Sequence, residues 1–129
     1  MPTVTLSNPP GVRTPASRYS HAALVEGPHR RLVISGQVGQ APDGSVPADG
    51  AGQIAQAYAN LQAILAAHCM GIGDVVKTTA FLTDRALIPA YRAARDALFA
   101  AHAPASTLLV VAGLADPQWQ VEIEAEAAR

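Results

Sequence analysis

The stretch Trp119-Gln120-Val121-Glu122-Ile123-Glu124-Ala125-Glu126-Ala127 alternates strictly between apolar and polar residues. A period of two marks a β-strand, because successive side chains point to opposite faces of a sheet. Trp119, Val121, Ile123, Ala125 and Ala127 share one face, while Gln120, Glu122, Glu124 and Glu126 share the other. The apolar face belongs under a packing layer. The acidic face has two readings. It either meets water, or it is covered by a neighbouring chain that partly buries a glutamate. A buried carboxylate has a raised pKa and becomes a candidate proton carrier. The strand alone leaves both readings open.

Working outward, Pro104 precedes a β-branched and aliphatic run, Thr107–Val111, which reads as a buried-type strand, and Leu114–Gln118 is a turn. Before Pro104, a helix is expected from about Leu87 to His102, with Pro89 in its first turn, where a missing N–H costs nothing. Ile88, Tyr91, Arg95 and Leu98 lie along one side of it. Asp74–Leu82 is rich in β-branched residues and reads as a strand. The segment Gly52–Cys69 places Ile54, Tyr58, Leu61 and Leu65 on one helical face, with Asp49 as the N-cap candidate and Gly71-Ile72-Gly73 as the terminator. Residues 39–50 form a loop rich in glycine and proline. Tyr19–Val25 and Arg31–Gln37 flank the turn cluster Glu26-Gly27-Pro28-His29 and read as a hairpin. Residues 7–18 are an irregular lead-in, and Thr3–Leu6 is a short edge strand. The order β-β-β-α-β-α-β-β predicts an α+β layer: about six strands with two helices packed on one face.

Composition bounds the function. The 129 residues predict one domain spanning residues 1–129. The net charge of −1 and the absence of a Lys/Arg cluster argue against nucleic acid held by its backbone. No apolar run reaches the roughly 18 residues of a membrane span, and the first residues do not read as a secretion signal. The single cysteine, Cys69, cannot form an internal disulfide and fits a reducing cytoplasm; it is expected to be a small, at least half-buried residue. His21, His29, His68 and His102 lack metal-ligand spacing, and no metal is expected. Trp119 is expected to pack in the core. Half the residues are apolar and 27 are alanine, more than the core of a small monomer needs. The surplus belongs either to an alanine-rich surface or to a face covered by another subunit.

Four segments in order carry a resemblance: Ile34-Ser35-Gly36-Gln37, Gly71-Ile72-Gly73-Asp74-Val75-Val76-Lys77-Thr78-Thr79, Pro104-Ala105, and Val121-Glu122-Ile123-Glu124-Ala125. Together they resemble the RidA/YjgF (endoribonuclease L-PSP) family, from about Tyr19 to Ala127. The resemblance implies a chorismate-mutase-like fold and a homotrimer with ligand clefts between subunits. It also implies hydrolysis of small imines and enamines to 2-oxo acids and ammonia, without a metal or organic cofactor. By this resemblance Glu122 handles water, Tyr19 lines the cleft, and Ser35 and Gly36 lie beside the substrate. Ser106 and Thr107 would complete the cleft, and the Leu108 carbonyl would receive the imine nitrogen.

The sequence departs from the family at one position. Deaminases of the family carry an arginine directly after the Pro-Ala pair, where it clamps the substrate carboxylate; here Ser106 follows Pro104-Ala105. Serine is short and neutral and cannot form a fork-to-carboxylate pair. Arg92 and Arg18 are the candidates to replace that cation. Without one, a small-metabolite-binding trimer that does not turn its ligand over stands beside the hydrolase, and ribonuclease activity, suggested by the family's older name, ranks third.

Overall fold

In the computed structural model, which describes residues 2–129, the alternating stretch becomes a strand, Val121–Ala128, lying between two antiparallel partners. Numbered in chain order, the elements are β1 (Thr3–Ser7), β2 (Ala22–Glu26), β3 (Arg31–Val38), α1 (Gly50–Ala67), β4 (Val75–Leu82), α2 (Ile88–Phe99), β5 (Ala105–Val110) and β6 (Val121–Ala128). Short 3-10 turns at Ile72–Asp74 and Arg85–Leu87 lead into β4 and α2. The main sheet has the order β3-β6-β4-β5, and β1 pairs with β2. A single parallel bridge, Ser20 to Ala105, links the run-in of β2 to the start of β5, so six strands follow one another. The expected α+β layer, six strands with two helices on one face, is what the chain forms.

The pleat of β6 sorts the two faces. Val121, Ile123, Ala125 and Ala127 are buried, Glu122 and Glu126 are half-buried, and Glu124 is exposed. The buried set meets Ile54, Tyr58, Leu61 and Leu65, the helical stripe of α1. Alanines on β6 let a helix approach the sheet closely, and Gly39 does the same beside α1. A Cβ on Gly39 would sit 2.5 Å from Gln53 Cα, which leaves room only for glycine. Tyr91 and Phe99 of α2 complete the core around Tyr58. Burial pushes the Tyr58 phenol far above its ordinary range, so it stays neutral.

Polar groups pin the layer where the pattern falls silent. Gln53, fully buried in α1, donates to Pro47 O at 2.9 Å and Gln118 O at 3.0 Å, and accepts from Gln120 N at 2.8 Å. One side chain thus ties the loop before α1 to the run-in of β6. Asp49 caps α1 by accepting from Gly52 N at 3.1 Å, as expected.

Five local expectations need correction. Tyr19–Val25 does not form a hairpin with Arg31–Gln37: β2 pairs with β1, and β3 pairs with β6. The turn at Gly27 exists, with φ +85°, but the chain leaves it for another partner. β5 is not a buried-type strand; Leu109 and Val110 are exposed, because β5 has β4 alone as its ladder neighbour. α2 ends at Phe99, three residues before His102. Trp119 precedes β6 and is half-exposed. Much of the surplus alanine lies on the surface, including the outer face of α1, where Ala51, Ala55, Ala59, Ala63, Ala66 and Ala67 are exposed and serve helix propensity.

The fifth correction concerns the end of α1. The helix stops at Ala67, before Gly71, and closes with a Schellman motif: Met70 N donates to Leu65 O at 2.9 Å and Cys69 N to Ala66 O at 3.0 Å. Cys69 therefore takes φ +59°, a left-handed conformation that ordinarily belongs to glycine, and it is exposed rather than buried. A side chain there costs about 1 kcal/mol. Cys69→Gly is expected to raise the melting temperature by a few degrees, read by calorimetry; an unchanged or lower value would show that the cap carries no strain.

Candidate functional site

The resemblance gathers its residues into one cleft, but a single chain distributes them over two faces of the sheet. Parity along the strands decides this. β4 and β6 pair Phe81 with Glu122, Thr79 with Glu124, and Lys77 with Glu126. These residues lie on the face away from the helices, where Val33 of β3 and Leu109 of β5 are exposed. The other face carries Thr78, Ala80 and Leu82, all buried under the helices.

Glu122 stands on the open face beside an irregularity in β3. The register runs from Ile34 opposite Ala125 to Gln37 opposite Ile123, so Ser35 and Gly36 together oppose Glu124. This two-against-one arrangement is a β-bulge, which re-aims the strand locally. The Glu122 carboxylate lies over Gly36 so closely that a Cβ there would fall 1.9 Å from Oε2. The missing side chain of Gly36 is thus the seat of the Glu122 carboxylate. Ser35 is exposed next to it. Glu122 also borders a recess of about 310 Å³ with Phe81, Val111 and Leu114.

Tyr19 belongs to a second place. Ser20, the next residue, donates from Oγ to Ala103 O at 2.6 Å and from N to Pro104 O at 3.2 Å. These bonds fasten the lead-in to the start of β5 and hold Tyr19 half-buried beside it. Tyr19, Arg92, Ser106 and Leu108 line a recess of about 200 Å³, together with Ser17 and Arg95. Ser106 and Leu108 face it because they are two apart on β5, and Ser106 Oγ accepts from Thr78 Oγ1 at 3.2 Å. Thr107 points to the opposite face, where its Oγ1 accepts from Lys77 Nζ at 2.7 Å. Arg18 borders a neighbouring, water-sized void of about 10 Å³.

Within one chain, then, Tyr19, Arg92, Ser106 and Leu108 are brought together, and so are Ser35, Gly36 and Glu122; Tyr19 and Glu122 are not. Sequence reasoning passed over Arg95. Its position on the Tyr91 stripe of α2 was visible, and a charge on a buried stripe was the available signal. Among the described residues no group of three His, Cys, Asp or Glu side chains is placed to hold a metal. Among the described residues no helix is long and apolar enough to cross a membrane.

The fold defines an α+β protein, two helices on one face of a six-stranded sheet, that carries these two groups of candidate residues on opposite faces. Residues 11–129 match the family model described as Endoribonuclease L-PSP, and the chain belongs to this family, also called RidA/YjgF. It is 38% identical over 102 residues to the 2-iminobutanoate/2-iminopropanoate deaminase of Escherichia coli K12, covering 76% of this chain and 79% of that one. Among solved structures it is similar to YyfB from Yersinia pestis, a Rid-family protein of unknown function, at 28% identity and TM-score 0.88 over 98% of both chains. It is also similar to the yjgF gene product of E. coli, at 35% identity and TM-score 0.72, covering 89% of this chain and 91% of that one.

Gly36→Ala tests the seat of Glu122. A crystal structure of the variant is expected to show the carboxylate driven off the bulge, with melting within a few degrees of the parent because β3 is an edge strand here. A carboxylate in its original position would show that the bulge does not place it.

Proposed function

We propose that the protein hydrolyses small imines or enamines in a cleft formed between copies of itself in a homotrimer. The observation carrying this reading is the Glu122 carboxylate lodged at the Gly36 bulge on an uncovered sheet face. That face also exposes Val33 and Leu109, apolar area of the kind an oligomer covers. A second copy laid against it would bring the Tyr19 recess of one chain to the Glu122 of another and complete the site. The deaminase name of the E. coli relative supports the same chemistry.

The chemistry is modest. An imine carbon is already electrophilic, so water needs only a base to orient it and remove a proton. Glu122 takes that proton as the water oxygen bonds to carbon. Glu122 passes that proton to nitrogen, giving the carbinolamine, then takes the hydroxyl proton and delivers it to nitrogen as the carbonyl forms and ammonia leaves. Tyr19 orients the substrate, and the Leu108 carbonyl accepts from its nitrogen. From Ser106 onward β5 has a ladder partner on one side only, which leaves backbone groups free for such a contact. Atoms and charge balance without redox change, so no redox cofactor is called for, and this reading, following the family resemblance, assigns no metal or organic cofactor. The partner is a small metabolite rather than nucleic acid, in keeping with a net charge of −1. A cytoplasmic home is part of this reading, since a lone thiol suits a reducing compartment.

Ser106 favours a second reading, a trimer that binds a small metabolite without turning it over, because the strand offers no cation there. Turnover separates the two. With 2-aminoacrylate generated in situ, the protein is expected to release ammonia well above buffer, and Glu122→Gln to lower the rate by about 10²-fold. Equal rates for protein, variant and buffer would leave the binding trimer. Sedimentation is expected to give the mass of three 13.3 kDa chains; a single-chain mass would sink the shared cleft.

A further inference from the structure

The guanidinium of Arg95 is buried where a surface helix ordinarily carries an apolar residue, and its hydrogen bonding is incomplete. Its side chain is 8% exposed. Nε donates to Asp96 Oδ1 at 3.0 Å, and Nη2 lies 3.0 Å from the same oxygen. That ion pair uses one edge of the fork. Nη2 is sealed from solvent and, beyond its approach to Asp96, has no well-aligned hydrogen bond. Nη1 makes a long 3.4 Å contact with Ser17 Oγ. The Tyr91 ring, 5.8 Å from Cζ, backs the group.

A guanidinium has five donors, and leaving buried ones without acceptors is costly. Nη1, held only by the long Ser17 contact, belongs to a residue lining the same recess as Tyr19, Ser106 and Leu108. Arg92, three residues earlier and exposed on α2, lines it too. Asp96 is the counter-charge on Arg95, so Arg92 leaves the recess with a net positive character. The short Ser106 leaves the space between β5 and α2 open toward these groups.

We infer that Arg95, carried by α2, is the anion-binding group of this recess and selects a small carboxylate ligand. An incoming carboxylate oxygen replaces the weak Ser17 contact at Nη1. Arg92 adds a screened, secondary attraction. This deepens the hydrolase reading by assigning its substrate a carboxylate, held from the helix rather than from the strand. Arg95 binds and orients; it takes no part in proton transfer.

The test is binding, so it does not depend on turnover. The probes are 2-oxobutanoate and its uncharged amide, titrated calorimetrically into the intact protein. The parent is expected to prefer the carboxylate by about ten- to a hundred-fold, the range of a charge-assisted contact. Arg95→Met keeps the packed stem and is expected to bring that preference below two-fold. Arg95→Lys keeps a charge and is expected to retain part of it, while Arg92→Ala leaves most of it. A parent without preference would overturn the inference, including the case in which a partner chain's acid already occupies Arg95. A Met variant that keeps the full preference would overturn it as well. Should the Met variant fail to fold, the parent and Lys measurements still decide. Preference without ammonia release would uphold Arg95 and reject only the hydrolase.

Discussion

Everything in this molecule hangs on the pleat of β6. Its position between β3 and β4 fixes both faces of the sheet, since each neighbour is paired to it in antiparallel register. Val121 and Ile123 are fully buried beneath α1, and each contributes roughly 1.5–3 kcal/mol relative to exposure. A slip of one residue would turn those side chains outward and bring three glutamates under the helix. Such a penalty makes the register unique. Because the register is unique, Glu122 is aimed at the bulge in β3 and nowhere else.

The same parity that builds the core divides the chemistry. Ser106 and Leu108 share a face with the helices, and Glu122 shares a face with Thr107 and Lys77. No rotamer carries a group from one side of a sheet to the other. A cleft that uses both sets therefore requires a second chain, and the open face that presents Glu122 is also the one with exposed aliphatic side chains. On the proposed reading, assembly and chemistry are then a single requirement. A monomer would keep its core and its fold while holding two incomplete recesses.

What was legible in the sequence follows from how local each signal is. The α1 stripe, the Asp49 cap and the β6 alternation are set within a few residues, and the chain forms them as they read. The pairing of β2 is not local. A good turn at Gly27 predicts a reversal but says nothing of which edge each strand finds, and the Ser20 bonds to Ala103 and Pro104 draw that segment toward β5. The exposure of β5 was equally hidden, since aliphatic residues on an edge look like those in a sheet centre. Cys69 shows a different failure. The helix ends where Met70 can bury itself against Leu65, and whatever residue stands between must accept a left-handed backbone. Tyr19, Arg92, Ser106 and Leu108 were nameable through the family resemblance, but their separation from Glu122 within one chain needed strand parity across three elements.

Arg95 carries the last step. A strand-borne arginine after Pro104-Ala105 would reach into the recess across the width of β5. A helix-borne one enters from the opposite wall, already held by Asp96 and backed by Tyr91. Such a group loses less rotamer freedom on binding than a free side chain would, because the fold has already ordered it. Its cost is borne in the folded state instead, as a buried cation with donors unspent. Replacing it with an apolar residue of similar volume would relieve that cost and is often neutral or stabilising for buried ion pairs. A buried charge retained at that expense, beside a recess of small-metabolite size, is the physical signature of a binding group rather than of a packing one.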